Sequence, residues 1–286
     1  MLNSFDYLCP KNTEEAIQML LDNQDAEILA GGTDLFPELR EKSTPDKVVI
    51  DIKKCADLQG IEEQDDSLSI GALTTIREIQ QSNIIKEKYR ALRDGADVFG
   101  CLEIRNRATI GGNIVHASPG AEYGTPLFAF KAKVEISGPN GSRVIPIDRF
   151  WYDLGKVELK KGEILKRILL PKIDTQVSSG YLRLNRVKGM DLASLGVSVV
   201  VIDPGQADKR EIRVALAAVQ RTPYRNREVE ELLSHKEIDQ NLIEQVKIKL
   251  AASIAPREFS LRAKPPYKKA MVGTLMEKIL KSLKVL

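Results

Sequence analysis

The chain has 286 residues, 43% hydrophobic and 29% charged, a mix that builds an ordinary globular core. Its 43 basic and 40 acidic residues are interspersed and leave a net charge of +3, which argues against a nucleic-acid or membrane-surface binder. Cys9, Cys55 and Cys101 stand far apart with no C-x-x-C pair, which argues against a disulfide framework, a zinc site or a locally ligated iron–sulfur cluster.

Met1 to Pro10 carry neither a basic n-region nor an apolar h-region, and the longest apolar run, Val197 to Ile202, is too short to span a bilayer. The expectation is a soluble cytoplasmic protein. In chain order, Asn12 or Thr13 caps a first helix, with Glu15 placed for a capping box and Ala16, Ile17, Leu20 and Leu21 as its apolar stripe. Ala26 to Ala30 reads as a buried strand, Gly31-Gly32 breaks it, Asp34 to Glu41 starts a helix, and Lys47 to Ile52 is the next strand. Leu68 and Ile70 alternate as in a strand, Thr74 caps a helix with Ile76 and Ile79, and Ile84 to Phe99 has helical spacing. A second Gly-Gly turn falls at Gly111-Gly112. Ala132 to Ile136 and Arg143 to Ile147 form a hairpin, and Glu163 to Leu170 is a strand closed by Pro171.

A boundary is expected near Asp174 to Ser179. Three strands come next: Tyr181 to Val187, Leu192 to Ile202 and Glu211 to Val219. Helices carry the stripes Leu242, Ile243, Val246, Leu250 and, after Pro265-Pro266, Ala270, Leu275, Ile279, Leu283. The pattern is α+β in roughly three blocks: residues 1–175, with sub-blocks of about 1–55 and 56–175, and residues 176–286.

Two glycine pairs carry the chemistry. Leu29-Ala30-Gly31-Gly32-Thr33-Asp34-Leu35 and Thr109-Ile110-Gly111-Gly112-Asn113 each flank paired glycines with a hydroxyl or amide residue. Glycine admits positive φ and close approach of a ligand, and successive backbone N–H groups make an anion-binding nest. No P-loop and no G-x-G occurs in the chain, so neither triphosphate hydrolysis nor ordinary dinucleotide binding is supported. Two nests without Lys or Arg suit a pyrophosphate gripped from two sides by backbone dipoles. Either pair alone is as well explained as a tight turn, and residue chemistry alone leaves the function open.

Ala30 to Leu35 and Thr109 to Asn113, the latter extended by Ile114-Val115-His116-Ala117-Ser118-Pro119, resemble the two FAD-pyrophosphate loops of molybdenum hydroxylase flavoprotein subunits, the medium subunits of the xanthine dehydrogenase, carbon monoxide dehydrogenase and aldehyde oxidoreductase family. Ile104 to Asn106, Gly71 to Thr74, Arg186 to Ala193, Arg221 to Pro223 and Arg262 to Met271 fit the same pattern, in order, over nearly the whole chain. The resemblance implies a two-part FAD-binding domain of the vanillyl-alcohol-oxidase (PCMH) type, followed by a small C-terminal α+β domain with a three-stranded sheet and helices. It implies that Leu29 to Leu35 and Thr109 to Asn113 hold the FAD pyrophosphate, with Phe99 near the flavin and Leu165 lining its pocket. Glu122 stands where the family has Asp on the adenosine side, and Arg183 where Lys is usual. His116 has a structural or cofactor-contact role, Tyr181 stacks near the isoalloxazine or packs on the sheet, and Trp151 and Tyr152 face a partner or the core.

The resemblance further implies electron transfer. A large molybdopterin-binding subunit oxidises the substrate, a small subunit passes electrons through two [2Fe–2S] clusters to FAD, and NAD⁺ or another acceptor takes them, in a heterotrimer or dimer of heterotrimers. No side chain of this chain serves as a catalytic nucleophile or base, and none as a metal ligand. The loop from Leu184 to Met190 gates the acceptor by the same analogy. The rival readings are a free-standing FAD-dependent reductase and a non-redox scaffold that retains the fold.

Overall fold

The computed structural model describes residues 4–41, 47–260 and 262–286. Met1 to Asn3, the start of the N-terminal segment without leader features, lie outside the described residues. The Asn12 side chain accepts the Glu15 N–H at 2.9 Å and starts the helix Thr13–Asp22. Glu15 reaches the N–H of Lys11, at 2.8 Å, and not that of Asn12, so the expected capping box closes one residue early. This helix connects the strands Phe5–Leu8 and Glu27–Leu29. Both lie parallel to Lys47–Asp51, which takes the middle of a three-stranded sheet and buries Val49 and Ile50.

The next block is a five-stranded antiparallel sheet in the order Ile61–Glu63, Ser67–Gly71, Ile164–Pro171, Lys133–Gly138, Gly141–Pro146. The expected hairpin is present and turns through Pro139-Asn140, with Gly141 at φ 96°. Two expectations shift. The helix Ile76–Gln81 is capped by Thr75, not Thr74, in a complete capping box with Glu78. Thr74 is buried and donates to the Gly60 carbonyl at 3.0 Å, which removes it from capping. The single helical run expected over Ile84 to Phe99 divides into Asn83–Lys88 and Arg90–Val98. Tyr89 makes the break: it is buried, packs edge-on against Phe130 at 5.1 Å, and donates its hydroxyl to the Pro171 carbonyl at 2.8 Å.

The last block is an antiparallel sheet of four strands, Val177–Leu184, Leu195–Ile202, Glu211–Ala217 and Tyr224–Arg225. The first strand starts earlier than expected, at Val177; it also ends earlier, and the second begins later, because residues 186 to 191 form a turn closed by Arg186 and Asp191. The fourth strand escapes the three-strand expectation because two residues cannot show alternation. Helices Gln240–Ser253 and Pro265–Ser282 pack together, and Val272, Leu275, Met276 and Ile279 join Val197, Val199 and Val201 in one buried cluster. The architecture is α+β, with the first two blocks meeting at the glycine segments.

Candidate functional site

The segment after Leu29 leaves the parallel sheet and turns through Gly32 at φ 75° into the helix Leu35–Glu41. Pro37 in the first turn costs no intrahelical hydrogen bond. A Cβ on Gly31 would stand 2.1 Å from the Arg107 carbonyl oxygen, so this glycine is required by packing against the segment that leads into the second pair. Among the described residues the N–H groups of Gly31, Gly32, Thr33, Asp34 and Leu35 find no protein acceptor. They leave a run of backbone donors free for a ligand.

The second pair is not a turn. Thr109 caps the helix Ile110–His116 by accepting the Gly112 N–H at 3.0 Å, and Gly111 and Gly112 fill the first helical turn. Its backbone donors are engaged: Ile110 N–H with Thr74 O at 3.0 Å, Gly111 N–H with Ala72 O at 2.9 Å, Asn113 N–H with Thr109 O at 3.0 Å. The expectation of two equivalent backbone nests is therefore corrected to one nest and one capped helix start. Gly111 is a packing glycine, since a Cβ would come within 2.5 Å of Ala72 O. Ala72 is itself held by the carbonyl of Lys166, at 2.9 Å, where a register irregularity interrupts the strand after Leu165. What the second segment offers outward is the Thr109 hydroxyl proton, the open face of Gly112, and Asn113, whose Oδ1 is buried without a partner.

Between the two segments lies a cleft of about 450 Å³. Ala30, Gly31, Gly32, Thr33, Asp34 and Leu35 line one side, and Thr109, Gly111, Gly112 and Asn113 the other. Phe99 lines it from the end of Arg90–Val98, its ring tilted against Tyr123 at 6.2 Å, and Leu165 lines it from the sheet. Leu29 and Ile110 are buried behind these walls.

Glu122 and Arg183 are not at the cleft. They form an ion pair with each other, both side chains 4% exposed. Burial pushes the Glu122 carboxyl up to about 7, against the pull of the Arg183 guanidinium. The two side chains take each other as partners across the 61 residues that separate them, and so point away from the cleft. Tyr181 is 4% exposed with its hydroxyl near Gly196 and Thr125, and so packs on the sheet rather than reaching the cleft. Trp151 is buried and donates to the Ile114 carbonyl at 2.6 Å, while Tyr152 is exposed.

Sequence reasoning missed Lys160 and Lys161, which line the cleft from the turn before Ile164–Pro171. They lie far in sequence from both glycine pairs, and only the Gly162 turn (φ 76°) hinted at their placement. His116 also lines the cleft, with Nδ1 3.7 Å from Glu38 Oε1.

A cleft with a run of free backbone donors facing a capped, glycine-opened helix start is shaped for an extended ligand that carries a phosphate-type anion between its ends. The chain belongs to the family described as FAD binding domain in molybdopterin dehydrogenase, which matches residues 3–173, and residues 181–283 match the CO dehydrogenase flavoprotein C-terminal domain. It is similar to the carbon monoxide dehydrogenase medium chain of Hydrogenophaga pseudoflava, 31% identical over 277 residues and 96% of each chain. It is also similar to the xanthine dehydrogenase FAD-binding subunit of Escherichia coli O157:H7, 31% identical over 269 residues, 93% of this chain and 91% of that one. A solved carbon monoxide dehydrogenase from Hydrogenophaga pseudoflava, lacking the Mo-pyranopterin moiety of its molybdenum cofactor, matches with TM-score 0.92 and 30% identity over 99% of this chain and 98% of that one. The chain is thus an oxidoreductase flavoprotein subunit of the molybdenum hydroxylase type. Among the described residues no helix is long and apolar enough to cross a membrane.

Proposed function

We propose that this chain carries FAD in the cleft and relays electrons within a cytoplasmic molybdopterin-dependent hydroxylase or dehydrogenase. The electrons come from [2Fe–2S] clusters on a small partner subunit, fed by a large molybdopterin-binding subunit, and leave to NAD⁺ or another acceptor. The assembly is a heterotrimer or a dimer of heterotrimers. The observation that carries the reading is the run of unpartnered N–H groups from Gly31 to Leu35, set across the cleft from the Thr109 hydroxyl and the Asn113 side chain, whose amide NH2 is the group able to donate to an anion. Four of these five residues are half-buried and Asp34 is exposed, so the donors stand ready for a ligand that enters the cleft.

The residues fit FAD. The Gly31–Leu35 donors meet a pyrophosphate from one side, Thr109 and Asn113 from the other, and Gly112 leaves room for close approach. Phe99 and Leu165 give apolar walls for a ring system, and Lys160 and Lys161 add positive charge at the rim. When bound, FAD supplies the redox chemistry that joins a one-electron donor to the acceptor. The chain's own residues orient it and exclude water. The turn from Arg186 to Asp191 leaves Val187 and Met190 exposed, 58% and 67%, as the surface proposed to gate the acceptor.

The test is the absorbance of the purified chain and of the chain reconstituted with FAD. A flavin spectrum at one equivalent supports the reading, and no spectrum after reconstitution sinks it. Co-purification of molybdenum and iron with the native chain tests the partner proposal separately, since a free-standing reductase brings neither.

A further inference from the structure

On the side of the molecule formed by the C-terminal block, a second, small cavity of about 30 Å³ lies between Gly120, the Ala193-Ser194 pair and the start of the helix Pro265–Ser282. Three cations converge on it, Arg257, Arg262 and Lys268, and no carboxylate lines it. Lys268, 4% exposed, spends one of its three donors on the Ala218 carbonyl at 2.6 Å. Among the described residues neither Arg257 nor Arg262 has a hydrogen-bond or ion-pair partner. Arg262 is placed against bare backbone, since a Cβ on Gly120 would lie 3.7 Å from its Nη1. The carboxylate whose field reaches Arg262 is Glu122, which Arg183 already holds.

A second observation points into the same space. Ser194 is 2% exposed, lines this cavity, and its Oγ is buried with no partner. The hydroxyl donor, two guanidiniums and an ammonium are all donors seeking one acceptor. Like charges gathered without a counterion repel, and burial and the two arginines together lower the Lys268 pKa. The positive end of the Pro265–Ser282 helix, whose cap residue Lys264 makes no side-chain capping bond, adds to the same field.

We propose that this cavity is an anion site that binds one inorganic oxyanion of the phosphate or sulfate class. The cavity holds only a few water-sized groups, so a nucleotide does not fit, while a tetrahedral oxyanion offers an acceptor to each of the four donors. Bound there, it ties residues 119–120 to residues 193–194 and to Arg257, Arg262 and Lys268. The site is separate from the FAD cleft and does not rest on the flavin reading.

The experiment is a thermal-unfolding titration of the full chain, saturated with FAD, using inorganic phosphate at ionic strength held constant with sodium chloride. FAD saturation keeps free phosphate from reporting on the Gly31–Leu35 donors. The expected result is a saturable rise in midpoint for the wild type and for a Lys188→Gln control. In the Arg257→Gln/Arg262→Gln double variant phosphate should bind at least roughly tenfold more weakly. Crystals soaked in selenate should show anomalous density between the two guanidiniums and Ser194 Oγ. Equal phosphate responses in wild type and double variant, or selenate density confined to other places, overturn the proposal. If the chain takes up no flavin, the wild-type and double-variant comparison is run on the apo protein and still decides this site alone.

Discussion

Gly31 touches Arg107 through bare backbone: a Cβ on Gly31 would stand 2.1 Å from the Arg107 carbonyl oxygen and 2.9 Å from the Ala108 Cα. The first glycine segment thus leans directly on the residues that lead into the second, and the two walls of the cleft move as one. Gly31→Ala cannot be accommodated by a side-chain rotation, because both obstacles are main chain. The expected loss exceeds about 3 kcal/mol, as for severe overpacking. Urea unfolding of the apo chain measures it; a variant within about 1 kcal/mol of wild type would show that the segments are not locked together.

Gly112 differs from its neighbour. A Cβ there meets only Thr109 Oγ1, at 3.0 Å, and otherwise opens on the cleft. Gly112→Val in the first helical turn trades the poor helix propensity of glycine for the milder cost of a β-branched residue. The apo chain should keep its stability to within about 1 kcal/mol while flavin retention falls steeply. The flavin-to-protein absorbance ratio after reconstitution reads this out. An unchanged ratio would mean that FAD does not rest on this face.

The contrast between Gly31 and Gly112 also shows where the sequence was informative and where it was not. Strand and helix positions such as Ile70, Ile76 and Val246 came from periodicity, with apolar residues recurring at a period of 2 or 3.6. The glycine pairs were legible as special backbone. Their individual reasons were not, because packing against Arg107 or Ala72 is a contact between residues distant in sequence. The same holds for Lys160 and Lys161, which reach the cleft through tertiary structure alone. Glu122 and Arg183 were legible as unusual residues at two positions. That each is the other's partner is a 61-residue separation no local pattern encodes.

Glu122 gives a signed pH prediction. Its folded pKa of about 7 lies above the ordinary 4.5, because burial outweighs Arg183. The native state therefore holds an extra proton between about pH 4.5 and 7, and native stability falls as pH rises through that window. Glu122→Gln mimics the protonated form. It should match the wild type near pH 4.5 and exceed it near pH 8, by on the order of 1–3 kcal/mol, since each pH unit separating the folded and unfolded pKa is worth about 1.4 kcal/mol. Denaturant midpoints across that range test it. A variant less stable than wild type at pH 8 would show that the pair with Arg183 prevails over desolvation.

Glu230 makes the opposite case, a buried carboxylate with every oxygen engaged. Its Oε1 accepts the Val214 N–H at 2.9 Å and Arg225 Nε at 2.8 Å, and its Oε2 accepts Arg225 Nη2 at 2.7 Å. Both side chains are nearly buried, 8% and 7% exposed, so the pair fixes the helix Arg227–Leu233 against the strand Glu211–Ala217. Glu230→Gln keeps the shape but removes the charge and turns an N–H toward the guanidinium, leaving Arg225 buried and uncompensated. The expected cost is about 3–5 kcal/mol. Because neither residue lines the cleft between the glycine segments, flavin bound per folded molecule should stay at the wild-type value. Urea unfolding and flavin absorbance of the soluble fraction separate the two effects. Loss of flavin from molecules that remain folded would show that the C-terminal sheet helps to shape the cleft, and a stability change under about 1 kcal/mol would show that Arg225 finds another acceptor.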